Sequence, residues 1–130
     1  MSQAKGNFEV TVTPVAEDKG IGSSLGRMSL DKVFHGDITG TGKGEMLTVG
    51  TDAGSAVYVA VERISGTLNG KQGSFALIHQ GIASANSQTL NIFVAPESGS
   101  GELVGLAGTM TLDLSGGGHA YVLDYTLPSA

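Results

Sequence analysis

The sequence contains no cysteine, which excludes disulfide bonds, thiolate nucleophiles and cysteine-ligated zinc or iron–sulfur sites. A reducing compartment suits such a chain, and we predict a cytoplasmic location. No apolar run approaches the roughly 18 residues that a membrane-spanning helix requires. The amino terminus enters a strand-like run without the apolar core of a signal peptide, so we expect neither secretion through a cleaved leader nor a membrane partner.

Basic residues are also scarce. Seven Lys and Arg residues stand against twelve Asp and Glu residues, for a formal net charge of −5. This balance repels phosphate backbones and anionic lipid headgroups, so we expect no nucleic-acid partner and no membrane surface as partner. The 130 residues are 40% hydrophobic and 15% charged, which indicates a single folded domain spanning residues 1–130.

Glycine, in contrast, is abundant, with 21 of the 130 residues. Its clusters separate short segments in which apolar and polar residues alternate, as in successive β-hairpins, because glycine adopts positive φ angles at little cost. We predict loops at Glu17–Leu25 and Pro96–Gly105, and a hairpin connection at Gly36–Gly44. The eight predicted strands run approximately from Phe8 to Thr13, Arg27 to Thr39, Lys43 to Val49, Val57 to Leu68, Ser74 to Gln80, Thr89 to Val94, Thr109 to Leu114, and His119 to Leu127.

This pattern predicts an all-β fold without helices. Eight strands with short connections can close into an antiparallel β-barrel and so leave no exposed sheet edge. A barrel of this size fills its interior with side chains or holds one small ligand. The architectural alternative is a β-sandwich.

Alternation along the strands predicts which side chains face the interior. The second segment has Lys32 on the same face as Leu30 and Phe34, where an ammonium group needs a partner or a wet cavity. In the fifth segment His79 shares a face with apolar residues. The fourth segment is apolar on both faces, with Val57, Val59 and Val61 on one side and Tyr58, Ala60, Ile64 and Leu68 on the other. One of these faces therefore needs cover from a loop or another subunit, which favours a homo-oligomer.

Four polar side chains in these rows are the candidate ligand-binding residues: Lys32, Tyr58, Glu62 and His79. Glu62 lies on the Tyr58 side of its strand, and we expect it to be buried with Lys32 as its counter-ion. A structural role is the alternative for each, namely an ion pair for Lys32 and Glu62, a hydrogen-bonded interior group for His79 and a core position for Tyr58.

Cofactor and metal motifs are missing from the sequence. The glycine-rich run at Gly36–Gly44 lacks the spacing of a phosphate-binding loop and has no helix after it. The three histidines have no metal-ligand spacing, and we expect His35 and His119 to lie in solvent. We therefore expect neither a metal nor a cofactor.

Several strings of the sequence resemble the bacterial domain-of-unknown-function 3224 family over nearly the full length. The strings are Lys32–Asp37, Gly40–Leu47, Tyr58–Leu68, Gly73–Gly81 and Ser98–Gly108. The resemblance implies an allene-oxide-cyclase-like barrel, a type that often forms dimers or trimers. The segment Ser98–Leu112 is also similar to the glycine-rich turn and strand of plant allene oxide cyclases and dirigent proteins. That similarity includes none of the cyclase catalytic positions, so it implies a fold and no cyclase activity.

Three functions remain as hypotheses. The first is a barrel that binds a small, largely apolar molecule, oriented by the four candidate residues. The second is a lyase or isomerase in which Glu62 or His79 moves a proton and Lys32 or Tyr58 stabilises an oxyanion. The third is a structural, oligomeric interaction module that buries the Val57–Val61 face between subunits.

Overall fold

The computed structural model describes residues 2–116 and 118–128, which form nine β-strands. The strands are β1 (Ser2–Lys19), β2 (Ser23–Gly36), β3 (Ile38–Thr51), β4 (Ala56–Leu68), β5 (Lys71–Ser84), β6 (Ser87–Val94), β7 (Ser100–Gly101), β8 (Ala107–Asp113) and β9 (Ala120–Thr126). Across these described ranges there is no helix with the length and apolarity to cross a membrane.

Eight of the strands close into an antiparallel barrel. The hydrogen-bonded order is β1-β2-β3-β4-β5-β6-β8-β9, and β9 pairs back onto β1. The two-residue strand β7 lies outside this ring and pairs with β5 at Gly73 and Ser74. The predicted closed antiparallel barrel is confirmed, and the sandwich alternative is wrong.

Two predicted connections are wrong, because cross-strand pairing continues through them. The predicted loop Glu17–Leu25 consists mostly of paired strand, and only residues 20–22 form the turn. The predicted connection Gly36–Gly44 contains the break between β2 and β3 at Asp37, but most of it belongs to β3. Gly40 packs so closely against β4 that a Cβ atom there would collide with the Ser65 carbonyl oxygen. Glycine therefore serves close strand packing at this position.

The core fills the end of the barrel at which β9 pairs with β1. The inward-facing side chains there come from every barrel strand, and the largest fully buried ones include Phe34, Phe75 and Tyr121. The Tyr121 hydroxyl accepts a hydrogen bond from the Ile38 amide at 2.9 Å and donates one to the His35 carbonyl at 2.9 Å. These hydrogen bonds join β9 to the turn between β2 and β3 and stabilise this end of the barrel.

The opposite end is open on one side because the strands differ in length. β1 to β6 extend to their hairpin turns, whereas β9 pairs with β1 only along Ser2–Asn7. β8 pairs with β6 only at Ile92 and Phe93. Beyond those pairs the six longer strands form what we term the mouth of the barrel. Its inner face exposes apolar side chains, among them Val12 and Leu90.

Candidate functional site

Three of the four candidate residues meet inside the barrel wall. Lys32 on β2 and His79 on β5 both contact the same oxygen of Glu62 on β4. The Lys32 Nζ to Glu62 Oε2 distance is 2.7 Å, and the His79 Nε2 to Glu62 Oε2 distance is 3.0 Å. All three side chains are buried, and Glu62 is only 1% exposed. The predicted burial of Glu62 and its ion pair with Lys32 are confirmed. We call these three residues the polar cluster.

Two glycines of β3 make the polar cluster possible. β3 runs between β2 and β4, so the Lys32 and Glu62 backbones are two strand spacings apart, roughly 10 Å. Lys32 pairs with Gly42, and Glu62 pairs with Gly44. A Cβ atom on Gly44 would lie 2.8 Å from the Glu62 Cβ, and one on Gly42 would lie 3.3 Å from Glu62 Oε1. The absence of side chains at Gly42 and Gly44 therefore gives the Glu62 carboxylate its path to Lys32.

The charges of the polar cluster favour ionised Glu62. Burial raises the pKa of Glu62, but the His79 hydrogen bond and the Lys32 charge outweigh it and hold the pKa below the ordinary value of 4.5. The Lys32 ammonium also lies 4.8 Å from the centre of the Phe8 ring, within cation–π range. Glu62 Oε1 is buried and has no hydrogen-bond partner among the described residues. The cluster is thus a paired carboxylate with one unused acceptor.

Tyr58 lies apart from the polar cluster. It shares the inner face of β4 with Glu62, but the two residues are four positions apart along the strand, about 13 Å. The Tyr58 ring packs over Gly81, where an added Cβ atom would collide with it. Partial burial raises the pKa of the Tyr58 hydroxyl. Tyr58 therefore lines the mouth on the same inward face, apart from the polar cluster, and its part in ligand binding stays a prediction.

The mouth contains two depressions that sequence reasoning did not predict. One, of about 450 Å³, lies along β1 to β3 and includes Pro14, Met28 and Thr48 in its lining. The other, of about 440 Å³, lies along β4 to β6 and includes Tyr58 and Leu90. Their only signal in the sequence is the unequal length of the strand-like segments. The polar cluster lies deeper in the barrel than both.

The two remaining histidines have different surroundings. His35 is exposed as predicted, and its Nε2 lies 2.7 Å from Glu9 Oε1. His119 is half-buried and stacks on Phe8 with 5.0 Å between ring centres, so the prediction of a solvated ring is wrong. The Phe8 amide hydrogen-bonds the His119 carbonyl, which brings the ring onto the core. In residues 2–116 and 118–128, no three His, Asp or Glu side chains are grouped as metal ligands would be.

The fold and the polar cluster define a class, the eight-stranded antiparallel barrels with an ion pair buried in the wall. Within it, the chain belongs to the DUF3224 family, since the model of that family, described as "Protein of unknown function (DUF3224)", matches residues 4–125. A solved structure from Shewanella oneidensis MR-1, described as a protein with unknown function from the same family, is 44% identical. The match covers 100% of this chain and 99% of that one, with a TM-score of 0.92. No curated protein matches the chain. The predicted family is therefore confirmed.

Proposed function

We propose that this protein binds a small, largely apolar molecule in the mouth of the barrel. The observation that carries the proposal is the exposed apolar inner face of the mouth, where Val12 is 43% and Leu90 is 41% exposed. Its depressions of about 440–450 Å³ lie within the roughly 300–1,000 Å³ range of ligand pockets. A ligand that covers these apolar side chains removes them from water, which lowers the free energy of the complex.

The candidate residues take different parts in this proposal. Tyr58 lines one depression of the mouth, so a ligand bound there contacts it directly. Lys32, Glu62 and His79 lie one step deeper, because Leu30 and Ala60 precede Lys32 and Glu62 on the path from the mouth inward. Both of these apolar residues are buried. The polar cluster therefore orients a ligand only if that ligand displaces them.

A neutral fluorophore tests the proposal. N-phenyl-1-naphthylamine brightens in apolar sites, and we expect it to bind the wild-type protein in the micromolar range. Thr48 faces the mouth and Thr41 faces solvent on the same strand. Thr48→Trp should fill the mouth and weaken binding at least tenfold, while Thr41→Trp should leave it unchanged. No binding by the wild-type protein, or equal binding by both variants, would refute the site.

A proton-transfer enzyme is the second candidate. The observation in its favour is the 3.0 Å contact between His79 and Glu62, together with the unpaired Glu62 Oε1. For catalysis a substrate has to touch this pair. We expect NMR signals of the His79 ring and the Glu62 carboxyl to shift on binding of a small aldehyde or ketone if the enzyme hypothesis holds. Unchanged signals under saturating probe would leave the pair with a structural role.

Two broader statements belong to this proposal as well. The allene-oxide-cyclase-like character rests on the resemblance to the family and on the additional similarity at Ser98–Leu112, and that barrel type suits an apolar ligand. The cytoplasmic location rests on the lack of cysteine. Fluorescence microscopy of a tagged chain in a bacterial host tests the location.

A further inference from the structure

The outward face of β4 is apolar and exposed, and its neighbours extend it. Register places Leu47 of β3 beside Val59, and Ile82 of β5 beside Val57. We define the outer apolar patch as Leu25, Leu47, Val57, Val59, Val61 and Ile82. Five of these six side chains are between 41% and 55% exposed. We propose that this patch binds a second copy of the chain in a two-fold symmetric dimer.

The size of the outer apolar patch fits the centre of such an interface. It spans four strands, β2 to β5, and three side-chain rows along β4. Strand and residue spacings give it a projected area of about 400 Å². An apolar patch of this extent is often functional, and it is about half of the roughly 800 Å² that each partner buries in a standard interface. The polar rim of an interface supplies the remainder.

The outer apolar patch consists of a ridge and two grooves. The paired side chains of Leu47 and Val59 form a ridge between two shallow grooves of about 320 Å³ each. One groove continues to Leu25 and Val57, and the other continues to Val61. A two-fold axis brings the same surface onto itself, so the ridge of one copy can occupy a groove of the other.

Charge at the border of the patch also permits a second copy. Arg27 and Glu45 flank the ridge and form a 2.6 Å ion pair with each other. The next outward row along the strands contains Asp31, Lys43 and Arg63. Asp18 on β1 also borders the patch, beside Leu25. These six residues include three basic and three acidic side chains, a balance of zero, whereas the whole chain has −5. The border of the patch therefore adds little charge repulsion between two copies of this acidic protein.

Sedimentation equilibrium of the full chain tests the dimer. We expect the wild-type protein to be dimeric at about 50 μM. Val59→Glu places a charge at the centre of the patch and should weaken the dimer at least 100-fold. Ser65→Glu is the matched control, since Ser65 is exposed on the outward face of the same strand beyond the patch. That variant should remain dimeric.

Folding of the variants is checked by circular dichroism and thermal melting. Val59 is already 45% exposed, so its replacement leaves the core intact, and Val59→Ser provides a milder change with the same expected direction. A wild-type monomer at 200 μM would overturn the proposal. So would a dimer that persists in folded Val59→Glu, or a wild-type trimer, which contradicts the two-fold arrangement.

Discussion

The two faces of strand β4 reverse the usual distribution of polarity. The inward face carries Glu62, a carboxylate that is 1% exposed, whereas the outward face carries Val59 and Val61, which are 45% and 55% exposed. A buried carboxylate is tolerated because Lys32 and His79 contact it. Exposed valines have no such compensation in the single chain. The buried charge of the inner face is therefore compensated within the chain, while the outer face is where a partner would add stability.

The largest expected effect comes from breaking the inner face at Lys32. Lys32→Met leaves the Glu62 charge buried without its counter-ion, and we expect a loss of about 3–5 kcal/mol in the free energy of unfolding. Adding Glu62→Leu removes the charge as well and should restore most of that stability. Urea denaturation measures both. The polarity difference between the two faces of β4 then disappears in the double variant.

Lys43→Met is the control for this prediction, because Lys43 is exposed on the outward face of β3. Its effect should stay within about 0.5 kcal/mol. If Lys32→Met is as stable as Lys43→Met, the ion pair makes no net contribution to the free energy of unfolding. The inner face then tolerates loss of a charge as well as the outer face does.

An intermediate effect is expected from pH. Because the folded protein holds the pKa of Glu62 below 4.5, the stability due to its charge is present above pH 4.5 and is lost as pH falls through the lower, folded pKa. Glu62→Gln lacks this titration. Wild type should therefore exceed Glu62→Gln in urea midpoint at pH 7, and the difference should shrink below pH 4.5. If the difference in urea midpoint stays constant down to pH 3, the charge of Glu62 does not contribute to the stability of the folded protein.

Alternation of side chains was the most reliable signal in the sequence. It placed Lys32, Glu62 and His79 on inward faces, because in a strand the side-chain period of two depends only on local geometry. It also separated Val59 from Glu62 correctly. Alternation does not predict how deep in the barrel a side chain lies. The same rule assigned Tyr58 to the inner face but could not tell that it lies near the mouth, since depth depends on how far β8 and β9 extend along their neighbours.

Glycine has two different roles in this chain. Gly36 has a φ of +101° next to the β2–β3 break, as expected of a turn residue. Gly42 and Gly44 lie within β3, where an added Cβ atom would crowd Phe34 and the Glu62 carboxylate at Gly42 and would collide with the β4 backbone and the Glu62 Cβ at Gly44. A turn glycine and a glycine in close strand packing look the same in the sequence. Only the pairing with distant strands distinguishes the two roles. The mouth of the barrel is not predictable from the sequence for a related reason. Strand length depends on the pairing partners, which the sequence does not specify.

The smallest expected effect comes from completing the inner face at Gly42. Glu62 Oε1 has no partner among the described residues and lies 3.3 Å from the position of a Cβ atom on Gly42. Gly42→Ser places a hydroxyl donor there, so it should be about 1 kcal/mol more stable than Gly42→Ala. Crowding against Phe34, 3.0 Å from the same position, is common to both variants and cancels in the difference.

Gly50 provides the matched control on the same strand, since nothing lies within 4 Å of a Cβ atom added there. Gly50→Ser and Gly50→Ala should have equal urea midpoints. An equal pair at Gly42 as well would mean that the Glu62 carboxylate gains nothing from a further donor. In that case its contacts with Lys32 and His79 already satisfy it, and the inner face of β4 is complete without any ligand.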